Sequence, residues 1–220
     1  MTLRRWHKAG SFSATFVSPG KRLYYSQADL QRKTKGLRQT ALDWANAIVA
    51  QRLPGEWYCP TSDVFKARLE RMTYDLLALP AHKDRASLIA SAAGEIGNNS
   101  FDHNLGSFRD IAGVIFKGFE KEKPVVIADR GQGVRKTLER IVPNIKSDVE
   151  AIEIAFTKII SGRSPEQRGN GLKFVAAVCK QNNWELYCQS GRGVAQIING
   201  TISFSEGTDE INGCLAVLKY

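Results

Sequence analysis

Apolar residues recur near every 3.6 positions over residues 26–53, where Leu30, Leu37, Leu42, Trp44, Ile48 and Val49 would share one side of a helix closed by Pro54 and Gly55. The same period returns over residues 62–80, with Ser62 as N-cap and Phe65, Leu69, Met72, Leu76 and Leu79 on one stripe ahead of Pro80. A third helix is predicted over residues 84–104. The character then changes. Residues 111–119 and 124–128 are short, β-rich apolar runs, and the charged stretch 120–123 between them reads as a hairpin turn. Helices are expected over 134–142, 148–160 and 172–181, and strands over 184–189, 194–198, 201–204 and 214–219, with Gly-rich turns between them. The stretch 161–171 is too polar and broken for either period and reads as a loop. Residues 1–20 read as an extended or loosely structured arm ending at Ser18-Pro19-Gly20.

Helices plus clustered, hairpin-linked strands predict an α+β sandwich. Its sheet would be mixed but mostly antiparallel, with helices on one face, preceded by an N-terminal helical segment. A boundary near residue 80 would separate an arm and helical segment (1–80) from the sandwich (81–220).

Composition narrows the function classes less than the motifs do. No apolar run approaches the roughly 20 residues of a membrane-spanning helix, so no membrane partner is expected. Gly, Ser and Thr follow the basic residues Arg4, Arg5 and Lys8, so the start lacks the apolar core of a secretory signal. The first 28 residues hold no Asp or Glu, which suits a solvated basic arm, with a transit segment as the alternative. Four cysteines without C-x-x-C spacing read as reduced thiols of a cytoplasmic protein, and three scattered histidines suggest no zinc set. A net charge of +9 favours polyanionic partners: nucleotide, nucleic acid or acidic membrane.

Neither the P-loop pattern nor G-x-G-x-x-G occurs, because Gly131-Gln132-Gly133 is followed by Val134, Arg135 and Lys136. Three other segments carry chemistry. In the third helix Glu95, Asn99 and Asp102 stand at i, i+4 and i+7 and so line one face, while Ile89, Ala93, Ile96 and Ser100 take the face suited to a sheet. A carboxylate and an amide oxygen one turn apart are hard ligands suited to Mg²⁺ and to orienting a water. Small neighbours would let a ligand approach closely; the blander alternative is a solvated helix face.

The second segment runs from 125 to 133. A buried strand delivers Asp129, and Gly131 and Gly133 then permit a tight turn of bare backbone. An ionised carboxylate there can accept the exocyclic N–H of adenine; the alternative is a strand-to-loop turn with Asp129 as a helix N-cap. The third segment, 162–172, is Gly-rich and opens a helix, so Gly169, Asn170, Gly171 and Leu172 would offer backbone N–H groups to phosphate. Arg163, Arg168 and Lys158 could add charge-assisted contacts, the alternative being an ordinary surface loop.

Taken in order, a helical E-x-x-x-N, a D-x-G-x-G about 30 residues on and a G-x-G-L about 40 further resemble the N, G1 and G2 boxes of the GHKL (Bergerat-fold) superfamily. That group includes DNA gyrase, the heat-shock chaperone ATPase, sensor histidine kinases and the mismatch-repair ATPase. The final run from Gly213 to Leu218 is similar to the closing strand of the kinase-type members, and the resemblance covers about residues 84–220.

It implies a Bergerat-type two-layer α/β sandwich that binds ATP with Mg²⁺. Asn99 would hold the metal, with Asn98 as rival, Asp129 would read adenine, and Gly131 and Gly133 would border the base. Residues 162–171 would form a lid, with Gly169 and Gly171 facing the phosphates. Glu95 would polarise the attacking water, and Asp102, Arg163, Arg168, Asn170 and Leu172 would complete the nucleotide contacts.

There are departures. His82 lies in an expected loop, not on a dimerisation helix, and so reads as a surface residue and not a phosphoacceptor. Leu172-Lys173 stands where kinases often have a second Gly-Leu, and no transducer domain follows. The chain therefore resembles a stand-alone module near the small anti-sigma-type serine kinases in size. Three functions follow. The first is an enzyme that hydrolyses ATP or passes its γ-phosphate to a protein. The second is an ATP-gated module whose N-terminal helices bind a partner or a second copy. The third is a basic nucleic-acid-binding protein.

Overall fold

The computed structural model describes residues 16–20, 22–24, 27–104, 106–118, 124–158 and 170–220. The chain forms two compact units, Met1–Thr40 and Ala41–Tyr220. In the first, strands β1 (Phe16–Val17) and β2 (Leu23–Tyr24) pair antiparallel, β1 lying within the stretch read as an extended or loosely structured arm. Helix α1 (Gln27–Asn46) is interrupted at Gly36, whose φ of 78° only glycine adopts readily.

In the second unit α1 stops at Asn46, seven residues earlier than its apolar period suggested. Ile48 and Val49, counted in that period, are 93% and 74% exposed. The carbonyls at the helix end go to two arginines instead. Arg109 donates to Ala45 O (2.7 Å) and Ala47 O (3.1 Å), and Arg130 donates to the carbonyls of Trp44, Ala45 and Ala47. Helix ends leave such carbonyls unpaired, so the guanidinium groups complete a cap that no local residue supplies.

Helix α2 (Ser62–Leu77) begins one residue earlier than expected, with Thr61 in extended backbone as its N-cap in place of Ser62, and Asp63 in its first turn suits the helix dipole. A 3-10 turn, Lys83–Arg85, leads into α3 (Ala86–Asn104). Phe65, Met72 and Leu76 of α2 are buried in the same core as α3. Residues 41–80 therefore belong to the larger unit, and the chain divides between Thr40 and Ala41 rather than near residue 80. Phe65 fixes that packing: a Cβ at Gly97 would lie 2.1 Å from its ring. The small residues around Glu95 thus admit a neighbouring helix.

The sheet joins β3 (Tyr58–Cys59), β4 (Val114–Lys117), β5 (Val125–Asp129), β6 (Glu185–Ile198) and β7 (Thr201–Lys219) in the order β3-β4-β5-β7-β6, every pairing antiparallel. Four expected C-terminal strands are two long ones, β6 and β7, joined at Asn199-Gly200, whose φ of 50° and 74° suits a tight hairpin. Register shifts between Ser190 and Gly193 bend β6 where Asp148 of α5 (Asp148–Thr157) approaches, its carboxylate accepting the Arg192 N–H at 2.9 Å. Ser147 caps α5, accepting from Glu150 N. The remaining helices are α4 (Gly133–Leu138) and α6 (Gly171–Asn182). The expected hairpin turn at 120–123 lies outside the described residues.

Period-2 alternation gives the sheet two faces. Val114, Phe116, Val125, Ile127, Ala216, Leu218 and Leu186 join the core with α2, α3, α5 and α6. Ile115, Val126, Ala128, Leu215 and Val217 point the other way and are also buried. On that side Tyr58, the register partner of Ile115, stands beside Trp44, ring centroids 6.3 Å apart. The result is an α+β sandwich. Among the described residues no helix is long and apolar enough to cross a membrane.

Candidate functional site

Helix α3 organises the site because its successive turns meet different parts of the chain. Ile96, Ser100 and Asn104, four residues apart, form its buried edge. Ile96 joins the core, while the two polar residues meet the end of β5 and the turn after it. The Ser100 hydroxyl donates to Asp129 Oδ2 at 2.7 Å, and Asn104 Oδ1 accepts the Gln132 N–H at 3.0 Å. Gly131 is required here, since a Cβ would fall 2.0–2.2 Å from the Asn104 amide. This glycine is thus explained by Asn104 packing.

Asp129 ends β5 with 1% of its surface exposed. Its Oδ1 accepts from Gly131 N (2.8 Å) and Cys214 N (3.3 Å), and its Oδ2 accepts from Ser100. Burial pushes its pKa up, and these three hydrogen bonds oppose that rise. The acid is thereby held by the protein on both oxygens, with Oδ2 keeping capacity for a further donor. It does not cap α4, whose N-cap position is Gln132. Behind it, burial and then the Asp129 charge push the Cys188 thiol up to about 12 and the Cys214 thiol well above its ordinary value. Ser190 links the layers, accepting from Val134 N (2.9 Å) and donating to Gly213 O (3.1 Å).

On the stripe rotated away from the core, Glu95 and Asp102 are exposed and Asn99 is half-buried. Glu95 reaches the start of α6: a Cβ at Gly171 would sit 2.4 Å from its Oε2. The first and third motifs are therefore in direct apposition. Asn98 turns elsewhere, with Glu70, Thr73, Ser91 and Glu95 lining a shallow groove of about 310 Å³ between α2 and α3. Asn170 stands at the N-cap of α6 without a side-chain cap bond, and Leu172 packs against the core. Arg163, Arg168 and Gly169 lie outside the described residues. His82 packs edge-on against Tyr220, centroids 5.6 Å apart.

Sequence reasoning passed over Ser100, Asn104 and Ser190 as functional residues, and Arg130 altogether. Arg130 follows Asp129 directly and is wholly buried. It forms a two-pronged pair with Asp110, Nε to Oδ1 at 2.7 Å and Nη2 to Oδ2 at 2.6 Å, and lies 5.4 Å from the Trp44 ring centre. That hydrogen-bonded pairing holds the Asp110 carboxyl well below the usual carboxylate range. Its partners lie 20 and 83–86 residues away, beyond any local signal.

No family model and no curated protein matches the chain. Among solved structures it is similar to the ATPase region of Saccharomyces cerevisiae topoisomerase II, at 14% identity and a TM-score of 0.40, covering 61% of this chain and 38% of that one. It is also similar to the same region bound to ICRF-187 (dexrazoxane), at 11% identity and a TM-score of 0.34, covering 92% and 51%. The chain thus spans between 38% and 51% of the length of these structures.

Proposed function

We propose that this chain binds Mg-ATP between α3, the β5–α4 turn and the start of α6, and that Glu95 serves hydrolysis or transfer of the γ-phosphate. One observation carries the reading. A single helix meets all three motifs: Glu95 lies against Gly171, Ser100 holds Asp129, and Asn104 holds the Gly131–Gln132 turn. These contacts support a single site bordered by residues far apart in sequence, as nucleotide recognition requires.

In this scheme Asp129 Oδ2 accepts the exocyclic amino group of adenine while Ser100 keeps the carboxylate aligned. The donor set suits magnesium, because Asn99 and Glu95 offer hard oxygens and Mg²⁺ takes one or two protein ligands together with phosphates and water. When bound, the metal supplies charge neutralisation at the phosphates. Glu95 orients the attacking water or hydroxyl and accepts its proton. The backbone N–H groups at the start of α6 point the positive end of a 12-residue helix at the polyphosphate. Asp102, Asn170, Leu172 and the lid residues Arg163, Arg168 and Gly169 complete the proposed contacts.

Isothermal titration with ATP and Mg²⁺, followed by a turnover assay, tests the reading. Dissociation constants below about 1 mM are expected, corresponding to about −4 kcal/mol or better. Asn99→Ala abolishes the magnesium-dependent part of the affinity. Glu95→Gln keeps binding and lowers turnover about 100-fold or more. Absence of binding at millimolar ATP overturns the proposal. Binding without turnover, unchanged by Glu95→Gln, identifies an ATP-gated interaction module instead.

A further inference from the structure

The charge of this protein is not spread along the chain. Nine of its 31 basic residues but only one of its 22 acids, Asp29, fall within residues 1–40. That stretch carries +8 of the net +9, leaving +1 for residues 41–220. The same stretch is a compact unit of its own. The larger unit, which holds the proposed ATP site, is almost neutral, so a bound triphosphate accounts for none of this excess.

Charge alone does not choose among polyanions; the β1–β2 hairpin does. Phe16 and Tyr24 are register partners across it, 59% and 49% exposed, with ring centroids 5.8 Å apart and planes inclined at 47°. Arg22, two residues before Tyr24, is exposed as well. The backbone between them is pinned, since Ser18 N donates to Arg22 O at 3.0 Å and Ser18 Oγ accepts from Arg22 N at 3.1 Å. Two large rings kept in solvent beside cationic side chains leave apolar surface uncovered. Unstacked bases cover such faces while their phosphates meet the basic groups, which is how single strands are held without sequence preference. A duplex keeps its bases stacked inside and offers the rings no partner.

From the charge asymmetry of residues 1–40 and the exposed aromatic pair, we infer that the β1–β2 hairpin is a docking surface for single-stranded nucleic acid, made of residues other than those of the proposed ATP site. Phosphates pair with exposed basic side chains such as Arg22, and bases stack on Phe16 and Tyr24.

Fluorescence anisotropy with the full-length chain and labelled oligo(dT) or oligo(U) of about 20 nucleotides, long enough for a single-strand site, tests this. A blunt DNA duplex and phosphatidylserine vesicles serve as competitors. The single strand is expected to bind, and its log affinity to fall with log salt by about 0.7 for each neutralised phosphate. Arg22→Gln combined with Arg38→Gln removes two exposed charges and reduces that slope by about 0.7 for each phosphate no longer neutralised. Lys66→Gln combined with Lys180→Gln, two exposed charges of the larger unit, leaves the slope unchanged. Phe16→Ala combined with Tyr24→Ala weakens single-strand binding about 5-fold or more at constant slope. Thermal melting confirms that each variant is folded. The inference is overturned by any of four results: no binding at low salt, equal slope reductions in both charge variants, no effect of removing the rings, or displacement by vesicles or duplex in preference to unlabelled single strand.

Discussion

Ser100→Ala isolates the polar contact on which the candidate site is built. The hydroxyl donates to Asp129 at 2.7 Å where the two residues are 6% and 1% exposed, so little water can replace it. A hydrogen bond to a charged group contributes about 1.5–3 kcal/mol and one to a neutral group about 0.5–1.5 kcal/mol. Which value applies depends on whether Asp129 is ionised. Burial raises its pKa in the folded state and the Ser100 bond opposes the rise, so removing the bond raises it further. A carboxyl whose folded pKa is raised contributes stability that is full below its unfolded pKa and is lost as pH rises through the folded pKa. The destabilisation by Ser100→Ala must therefore grow with pH, from about 1 kcal/mol with the acid protonated to about 1.5–3 kcal/mol with it ionised. At about 2–4 °C per kcal/mol for a chain of this size, the ionised limit corresponds to a fall in Tm of about 3–12 °C. Scanning calorimetry of the single variants and of Ser100→Ala in an Asp129→Asn background measures each contribution. In that background the cost should be small and independent of pH. A cost that is flat across pH, or as large in the Asp129→Asn background as beside the native acid, refutes the reasoning.

Three further outcomes follow from the same geometry. Arg130→Met removes the charged partner of Asp110 and leaves the Trp44 carbonyl without its side-chain donor, while Ala45 and Ala47 keep Arg109 and Asp110 keeps the Ala50 and Ile111 N–H groups, so it should cost about 1–3 kcal/mol in urea denaturation. Gly97→Ala should cost about 1–3 kcal/mol through contact with the Phe65 ring, and Phe65→Leu in the same chain should recover part of it on calorimetry. Burial holds the Cys179 and Cys188 thiols up at about 11 and 12, so mass spectrometry should find both unalkylated by iodoacetamide in the folded protein at pH 8, and modified after denaturation.

Much of the fold was legible in the sequence because local periodicity reflects one-sided burial. The stripe Phe65, Leu69, Met72 and Leu76 marked α2, and the run 125–128 marked β5. Where the period misled, a distant group had intervened. Ile48 and Val49 continue the pattern of α1, yet Arg109 and Arg130 terminate that helix by taking its last carbonyls. The candidate site divides in the same way. Glu95, Asn99, Asp129 and the glycines could be singled out because their spacing is local. Ser100 and Asn104 could have been found as the buried continuation of the helix edge that begins at Ile96. Nothing near Ser190 or Arg130 in sequence announces a partner.

By itself, the sequence determined the sandwich class, the helix that carries the polar stripe and the concentration of positive charge in residues 1–40. Each of these follows from which residues are apolar or charged and at what interval. Only the tertiary structure decided that Glu95 meets Gly171, that Asp129 is held on both oxygens, and that residues 41–80 share one core with the rest of the larger unit. The reason is physical. Periodicity records how one segment divides its surface between core and solvent. The cost of leaving a buried carbonyl or carboxylate unpaired is offset by whichever groups the chain brings alongside, and those are fixed only when the layers pack.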